Sequence, residues 1–300
     1  MKVVELSGGV GGSRMARGLA AMDDVDLTVV VNVGDDSDNH GLAVCPDLDT
    51  VVYTLAGVEG PHGWGRADES FVFNEEIARF GVDNTFLLGD RDLALKVFRT
   101  HMLETSPLSE VTAAVCRAFD LSTRVLPATD NRLRTRIRID EGWISFQEYF
   151  VERRHRDTVL ELEFEGAGSA LPAPGFLEAV ASADVVVIAP SNPPLSIWPI
   201  LAIPGVRASV AAHPNVVAVS PLIGGHTVKG PADVVMTSLG LPPGNEGVAA
   251  AYQGLIDRLV VDEADRDLLP RVPGVDVVVT QTLIPTREDG ARLAKEILAT

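Results

Sequence analysis

The 300-residue sequence has little cysteine and no long apolar run. Its two cysteines, Cys45 and Cys116, are too few for the disulfide framework of a small secreted protein or for a structural zinc site. The first residues, MKVVELSGGVGG, carry no signal-peptide pattern, and the longest apolar run, 185–190, is far too short to cross a bilayer. These absences predict a soluble protein of a reducing, cytoplasmic compartment.

The sequence is also short of positive charge. It has 25 Lys and Arg residues against 42 Asp and Glu residues, which gives a net charge of −17. Charge of this sign repels nucleic acid and anionic membrane surfaces, so we expect neither as a partner. A phosphate substrate would need positive charge supplied locally by backbone N–H groups, by a few Arg or Lys side chains, or by a metal ion.

Familiar catalytic signatures are missing as well. The six histidines show no HxxxH or HExxH spacing, no serine lies in a GxSxG elbow, and no cysteine–histidine pair stands out. A serine or cysteine hydrolase is therefore disfavoured, and nothing in the sequence indicates covalent catalysis.

Short β-branched runs alternate with helical stretches along most of the chain. Nearly continuous apolar strands with crossover helices between them are typical of a parallel sheet buried on both faces. The sequence therefore predicts an α/β fold with a Rossmann-like, doubly wound, mainly parallel sheet. The strand candidates are 3–6, 27–33, 185–189, 216–220 and 275–280, and the clearest crossover helices are 13–22 and 175–183.

The middle of the chain follows another pattern. Residues 132–165 alternate polar and apolar side chains, which indicates half-exposed antiparallel strands. We interpret 131–175 as a smaller antiparallel, β-rich α+β subdomain inserted into a core formed by 1–130 and 176–300. Residues 60–120 are expected to be mostly helical, with amphipathic candidates at 73–80 and 93–102.

A glycine-rich segment, Ser7 to Arg14, follows the first predicted strand and opens a helix. Glycines let the backbone approach a phosphate, and the helix N-terminus offers N–H donors and partial positive charge. The segment is neither a P-loop nor a GxGxxG motif. We favour phosphate binding by Gly8, Gly9, Gly11 and Gly12 over a tight turn that binds nothing, because the segment lies at the carboxyl end of the first strand.

Four carboxylates follow the second strand: Asp35 and Asp36, then Asp47 and Asp49, with Thr50 next. Oxygen ligands at the rim that carries the glycine loop suit a hard divalent cation such as Mg²⁺. Asp35 or Asp47 alone can be explained as a cap of a helix or turn. For Asp36 and Asp49 together we favour a metal or substrate role.

Three further segments are candidates for ligand contact. Asp90 and Arg91 lie in a Gly-Asp-Arg-Asp turn, where capping and presentation of Arg91 to a ligand are equally compatible with the spacing. Trp64, between two glycines, is either a stacking platform for a flat ring or a core residue. Ser191, Asn192 and Pro193 follow the best buried strand in a proline-rich loop, which favours ligand contact.

Taken in order, these motifs resemble the 2-phospho-L-lactate transferase family of deazaflavin coenzyme F-420 biosynthesis. The resemblance implies a Rossmann-like core with an inserted subdomain, usually in a homodimer. It also implies transfer of a phospholactyl or phosphoenolpyruvyl unit from a guanylyl diphosphate donor to the terminal hydroxyl of 7,8-didemethyl-8-hydroxy-5-deazariboflavin, with release of GMP and a need for Mg²⁺. The resemblance is carried by 7–12, 31–36, 45–50, 63–65, 88–92, 189–193 and 220–221, and more weakly by 126–130 and 146–148.

The family pattern also implies roles for individual residues. Asp49 and Arg91 would contact the deazaflavin, Asp36 and Asp49 would be metal ligands, and the glycine loop with Ser191 and Asn192 would hold the guanylyl donor. The chemistry of the transfer leaves Asp36, Asp49 and a metal-bound water as acceptors of the hydroxyl proton. Family members usually carry an aromatic residue after the acidic pair, whereas this chain has Ser37-Asp38-Asn39-His40 there. The deazaflavin contact at that point is therefore left open.

Two other functions remain compatible with the sequence. A Rossmann-type dinucleotide-dependent oxidoreductase would use Asp35 or Asp36 for the ribose, but it gives no reason for 45–50 or 89–92. A non-catalytic relative would bind a nucleotide and regulate another process. The sequence also does not distinguish lactate, enolpyruvate and glycerate as the acid of the donor.

Overall fold

The structure of the protein is a computed structural model that describes residues 1–82 and 85–299. The strands there are β1 (Lys2–Ser7), β2 (Asp26–Val31), β3 (Ser37–Asn39), β4 (Leu42–Val44), β5 (Arg124–Pro127), β6 (Arg134–Ile139), β7 (Gly142–Ser145), β8 (Glu161–Glu165), β9 (Val185–Ile188), β10 (Val216–Val219), β11 (Leu222–Ile223), β12 (His226–Thr227), β13 (Arg258–Asp262) and β14 (Asp276–Thr280). The α-helices are α1 (Gly9–Ala20), α2 (Pro46–Ala56), α3 (Val72–Ala78), α4 (Asp90–Leu103), α5 (Leu108–Ala118), α6 (Phe176–Ser182), α7 (Trp198–Leu201), α8 (Val206–Ala211), α9 (Ala232–Ser238), α10 (Asn245–Ala251) and α11 (Arg287–Ala299).

A seven-stranded parallel sheet with the order β14-β13-β10-β9-β1-β2-β5 forms the core. The strands at its centre are runs of buried valine and isoleucine, as expected where helices cover both faces of a sheet. The predicted α/β fold with a mainly parallel, doubly wound sheet is confirmed. The sequence analysis missed β5 and β13, which are strands of this sheet.

The strand order reverses beside β1. The chain leaves β1 for β2 on one side, and it fills the other side later with β9. In open α/β sheets a crevice forms at such a switch point, outside the carboxyl ends of the strands, and ligands bind in it. The loops that follow β1, β2 and β9 carry most of the candidate site residues.

Helix α1 begins at Gly9, so most of the glycine-rich segment is the first turn of the helix and not a loop that precedes it. The prediction that the helix starts at residue 13 was therefore four residues late. The helix packs against α2 and α11. Gly18 of α1 and Gly290 of α11 meet backbone to backbone, because a Cβ on Gly290 would lie 3.2 Å from the Cα of Gly18.

Within 131–175, β6 pairs in antiparallel fashion with β7 and β8. Ile137, Ile144 and Tyr149 form a second buried cluster there, which also includes Leu195 and Val235 from outside this segment. The antiparallel strands therefore share their small core with neighbouring elements. The domain boundaries at 131 and 175 stay predictions.

The helices of the 60–120 region lie close to their predicted positions. Helix α3 covers Val72–Ala78 where 73–80 was expected, and α4 covers Asp90–Leu103 where 93–102 was expected. In the described part of the chain, no helix combines the length and the apolar character that crossing a bilayer requires.

Glu5 is an acidic side chain at the centre of the sheet. It is fully buried in β1, between Val29 of β2 and Val187 of β9, and neither of its carboxylate oxygens has a hydrogen-bond partner within residues 1–82 and 85–299. Burial raises the pKa of Glu5 well above its ordinary value, and the Ser7 side chain offsets this only in part.

We expect Glu5→Gln to stabilise the protein increasingly as the pH rises. The carboxyl pKa is higher in the folded state than in the unfolded state, so the stability it contributes is present below the unfolded pKa of about 4.3 and is lost as the pH rises toward the folded value. Thermal unfolding between about pH 5 and about pH 8 should show a growing difference between variant and wild type. Glu178→Gln, at an exposed position, should follow the wild type. A difference that stays constant with pH would contradict the burial of an ionisable Glu5.

Candidate active site

Hydrogen bonds join the glycine-rich segment to two other loops at the switch point. The Ser191 hydroxyl donates to the carbonyl of Gly8 over 2.7 Å and accepts from the Gly8 N–H over 3.2 Å. The Gly9 N–H donates to Asp47 Oδ1 over 2.8 Å. The segments after β1 and β9 and the first turn of α2 therefore meet at one point, as the sequence predicted.

The glycines themselves are required by close packing. A Cβ on Gly8 would lie 2.7 Å from Asp47 Oδ2 and 2.7 Å from Ser196 Cβ. A Cβ on Gly11 would meet the carbonyl oxygen of Pro190, and one on Gly12 would meet the hydroxyl groups of Ser7 and Ser191.

Gly9 differs from these glycines. Its φ is +66°, and a Cβ there would have no atom within 4 Å. The open side of the helix N-terminus therefore lies at Gly9, where an anion would find backbone donors and partial positive charge.

Asp47 covers this helix N-terminus in the structure. Its second oxygen accepts a hydrogen bond from Asn32 Nδ2 over 3.0 Å, and burial raises its pKa to about 6. The sequence analysis considered Asp47 as a cap of its own helix, but it caps α1 instead. A phosphate at Gly9 would take the place of this carboxylate.

Asp35 and Asp36 are buried and have unused oxygen atoms. Oδ1 of each residue has no hydrogen-bond partner among the described residues. Burial raises the pKa of Asp35 well above its ordinary value, and the negative charges of Asp47 and Asp36 raise it further. Burial also raises the pKa of Asp36 to about 7, against the lowering effect of Arg134.

Asp49 differs because two buried cations hold it. Lys96 Nζ lies 2.5 Å from Asp49 Oδ2, and Arg99 contacts both carboxylate oxygens, with 3.1 Å between Nη1 and Oδ2. Burial alone would raise the pKa of Asp49, but the charges of Arg99 and Lys96 hold it below its usual value.

The same network links α2 to α4. Lys96 also pairs with Asp92 over 2.6 Å, and Asp92 accepts a hydrogen bond from the Tyr53 hydroxyl over 2.6 Å. Asp49 therefore anchors α4 to α2.

A Mg²⁺ ion at the four aspartates would find carboxylate oxygens of Asp35 and Asp36 that have no hydrogen-bond partner among the described residues. In the part of the chain that the structure describes, no group of three or more His, Cys, Asp or Glu residues is arranged to hold a metal. Mg²⁺ usually keeps several waters and is bound through one or two carboxylates together with substrate phosphates. The unpartnered oxygens of Asp35 and Asp36 would be available to such an ion, whereas both oxygens of Asp49 are engaged by cations. The metal roles of Asp36 and Asp49 stay predictions.

Asp90 and Arg91 lie at the start of α4. The Asp90 carboxylate accepts hydrogen bonds from the Ser70 hydroxyl and from the N–H groups of Val72 and Phe73, so it caps α3. Glu69 in turn accepts from the N–H groups of Arg91 and Asp92 and caps α4. The start of each of these two helices is therefore capped by a side chain that lies at, or just before, the start of the other.

Arg91 and Trp64 expose their side chains. The guanidinium of Arg91 is exposed on the first turn of α4. Trp64 is 56% exposed, it stacks on His62 with 5.6 Å between ring centroids, and the ammonium of Lys229 lies 5.6 Å from its ring centre. Trp64 is therefore no core residue, and its ligand role, like that of Arg91, stays a prediction.

The other predicted contact residues, Asn192, Pro193 and Thr50, lie in or at the start of helical segments. Asn192 Oδ1 accepts from the Leu195 N–H over 3.2 Å and so caps the short helical turn that begins at the buried Pro193. Thr50 is buried in α2, next to Asp49.

The sequence analysis missed two buried residues that shape this site, Lys96 and Arg99, which provide the positive charge next to the carboxylates. Asn32 and Ser196 also shape it, because Asn32 links Asp47 to Gly34 and Ser196 packs against Gly8. The spacing of Asp92 and Lys96, four residues apart on one helix, was a usable signal for an ion pair.

The fold and the site define a Rossmann-like α/β protein with a glycine-rich helix N-terminus and an acidic cluster at its switch point. A sequence model of the family described as "2-phospho-L-lactate transferase CofD" matches residues 3–281. The chain belongs to this family, a family of transferases of coenzyme F-420 biosynthesis, and the resemblance of its motifs is confirmed.

Relatives with curated names are similar over nearly the whole chain. A "Phosphoenolpyruvate transferase" of Streptomyces coelicolor is 43% identical over an alignment 310 residues long, gaps included, that covers 99% of this chain and 97% of the relative. A "2-phospho-L-lactate transferase" of Methanopyrus kandleri is 40% identical over 304 residues, with 99% and 97% covered. Among solved structures, a UPF0052-family protein of Bacillus halodurans superimposes with a TM-score of 0.66 at 18% identity, over 99% of this chain and 98% of that one. At this identity the superposition supports the fold alone.

We expect a strong energetic coupling between Asp49 and Arg99. Arg99→Met leaves a buried carboxylate with one cation fewer and should lower the free energy of unfolding by about 3 kcal/mol. Asp49→Asn should have a similar effect, and the double variant should lose less than the sum, by at least about 1 kcal/mol. Urea denaturation followed by circular dichroism measures these changes.

The control is Arg79→Met. Arg79 pairs with Glu76 on the exposed surface of the protein, so its loss should change the free energy of unfolding by less than about 0.5 kcal/mol. Additive effects of the Asp49 and Arg99 substitutions would show that the two side chains do not stabilise each other.

Proposed function

We propose that the protein transfers a phospholactyl or phosphoenolpyruvyl unit from a guanylyl diphosphate donor to the hydroxyl of 7,8-didemethyl-8-hydroxy-5-deazariboflavin. The observation that carries the proposal is the family match over residues 3–281, together with named relatives that are at least 40% identical over almost the entire chain. The geometry at the switch point supports it, because backbone donors, an acidic cluster and buried cations meet there.

The proposed reaction needs positioning and charge neutralisation more than covalent chemistry. The hydroxyl oxygen forms a bond to the phosphorus of the phospho-acid, while the bond from that phosphorus to the bridging oxygen breaks and GMP departs. The hydroxyl proton passes to a carboxylate of the acidic pair, Asp35 and Asp36. The N-terminus of α1 at Gly9 and the loop at Ser191 hold the donor's phosphates.

Asp35 and Asp36 are the residues that we expect to hold Mg²⁺, since their free oxygens are hard ligands. When bound, the ion would neutralise charge on the diphosphate. Asp36 contributes in either of two ways, as ligand or as proton acceptor, and both need its free carboxylate oxygen. Asp49 keeps the helix that carries Arg91 in place, through Lys96 and Arg99.

Asp36→Asn should lower turnover by at least about 100-fold while the protein stays folded, because an amide neither binds Mg²⁺ as a carboxylate does nor takes up the proton. Asp38→Asn is the matched control, since Asp38 lies two residues further on and is exposed. Product formation followed by mass spectrometry, with thermal unfolding as a check of folding, measures both. Near-normal turnover in the Asp36 variant would remove this residue from the reaction.

The donor can be identified by product mass. The relatives that are 43–44% identical carry the name phosphoenolpyruvate transferase, so we expect the enolpyruvyl donor to react faster than the lactyl donor. The two products differ in mass by a pair of hydrogens. A coupled assay with lactyl, enolpyruvyl and glyceryl donors, each with Mg²⁺ and with EDTA, measures the preference and the metal dependence together.

The same assay, together with thermal unfolding in the presence of NAD and of the deazaflavin, tests the proposal as a whole. Binding of the deazaflavin without turnover of any donor, at any Mg²⁺ concentration, would identify a non-catalytic relative. Thermal stabilisation by NAD with no effect of the deazaflavin would favour the oxidoreductase.

A further inference from the structure

A polar cavity of about 350 Å³ lies between α1, the 59–63 segment and the start of α11. Its lining contains neither the glycines of the α1 N-terminus nor the four aspartates nor Ser191, although it includes Gly63, the neighbour of Trp64. The volume falls within the range of small-molecule sites. The cavity is therefore not formed by the acidic cluster or by the loop at Ser191.

The lining is positively charged although the protein is strongly acidic. Arg14, Arg17 and Arg287 contribute three positive charges and Glu59 one negative charge, so the charged residues of the wall sum to 3 − 1 = +2 in a chain with a net charge of −17. Glu59 pairs with Arg17. The charges of Arg14 and Arg287 are the ones left for a ligand.

Both of these guanidinium groups have donors without a partner in the part of the chain that the structure describes. Arg14 uses Nη1 to donate to the carbonyl of Ile284 over 3.1 Å, while its Nη2 lies 3.7 Å from the place that a Cβ on Gly63 would take. Arg287 is exposed, and no ion pair of its side chain is found in residues 1–82 and 85–299. Thr286 and Asp289 cap the N-terminus of α11, so the positive character of the cavity comes from side chains and not from that helix end.

We propose that this cavity binds a phosphorylated small molecule, with the phosphate group held between Arg14 and Arg287. The planar guanidinium fork matches phosphate oxygens in bidentate geometry, and the two charges left unpaired equal those of a phosphate dianion. The group that binds is a phosphate. It belongs either to free inorganic phosphate or diphosphate, or to a phosphate ester. The ligand lies against Gly63 on one side and α1 on the other.

Isothermal titration calorimetry tests the proposal with four probes: inorganic phosphate, pyrophosphate, glycerol 3-phosphate and succinate. The wild type and two variants, Arg287→Glu and Arg271→Glu, are titrated with each probe. Arg271 is also exposed but does not line the cavity, so its reversal controls for net charge. Thermal unfolding of both variants shows that they are folded.

In the wild type we expect a phosphate-dependent binding event that weakens at least about 10-fold in Arg287→Glu and stays within about twofold in Arg271→Glu. Tighter binding of glycerol 3-phosphate than of the inorganic probes identifies an ester as the ligand, and the reverse order identifies the inorganic ion. The same affinity in both variants, no binding of any phosphate probe at millimolar concentration, or equal binding of succinate would overturn the proposal. A phosphate probe that binds at the N-terminus of α1 instead would bind equally to both variants, so the comparison of Arg287→Glu with Arg271→Glu does not depend on the proposed function.

Discussion

The pair of hydrogen bonds between Ser191 and Gly8 is the constraint on which the rest of the candidate site depends. Ser191 follows β9 and Gly8 precedes α1, so these bonds connect the two strands on either side of the switch point. The bond from Gly9 to Asp47 then brings in α2. Because a side chain on Gly8 or Gly12 would separate these partners, the glycines are needed for the assembly of the site as well as for ligand approach.

Charge balance inside the site follows from the same assembly. Buried carboxylates close together are unfavourable unless they are neutralised, paired or bound to a cation. The protein uses two of these solutions in one cluster: Asp49 is paired with Arg99 and Lys96, whereas burial raises the pKa of Asp36 to about 7. Neighbouring carboxylates whose pKa values are shifted in opposite directions are typical of functional sites, where they transfer protons or bind a metal ion.

The parts of the fold that the sequence predicted are those with a strong local signal. Strands β1, β2, β9, β10 and β14 are rich in valine, and each lies where it was expected. Strand β5 is short and ends in Pro127, and β13 has charged residues at both ends, so neither shows a long apolar run. These two strands are stabilised by pairing with strands that are distant in sequence, and a local pattern does not show such pairing.

The candidate site shows the same limit. The glycine loop, Asp36, Asp47 and Ser191 were identified because each follows a predicted strand or opens a predicted helix. The partners of Asp49 are 47 and 50 positions away in the chain, and no spacing rule connects them. Asp90 was predicted in a turn ahead of a helix, but it is the first residue of α4. Its carboxylate caps the preceding helix, α3, and this partner is determined by the packing of α3 against the start of α4.

The contact between Gly18 and Gly290 has a consequence for mutational tolerance. Helix α11 lies beyond residue 281, where the family match ends, yet its backbone touches that of α1, the helix whose first turn is part of the candidate site. A side chain at either glycine would push these two helices apart. Substitutions in the last helix of the chain, far from any reacting group, can therefore impair the enzyme by displacing α1, and they would resemble active-site defects in a genetic screen.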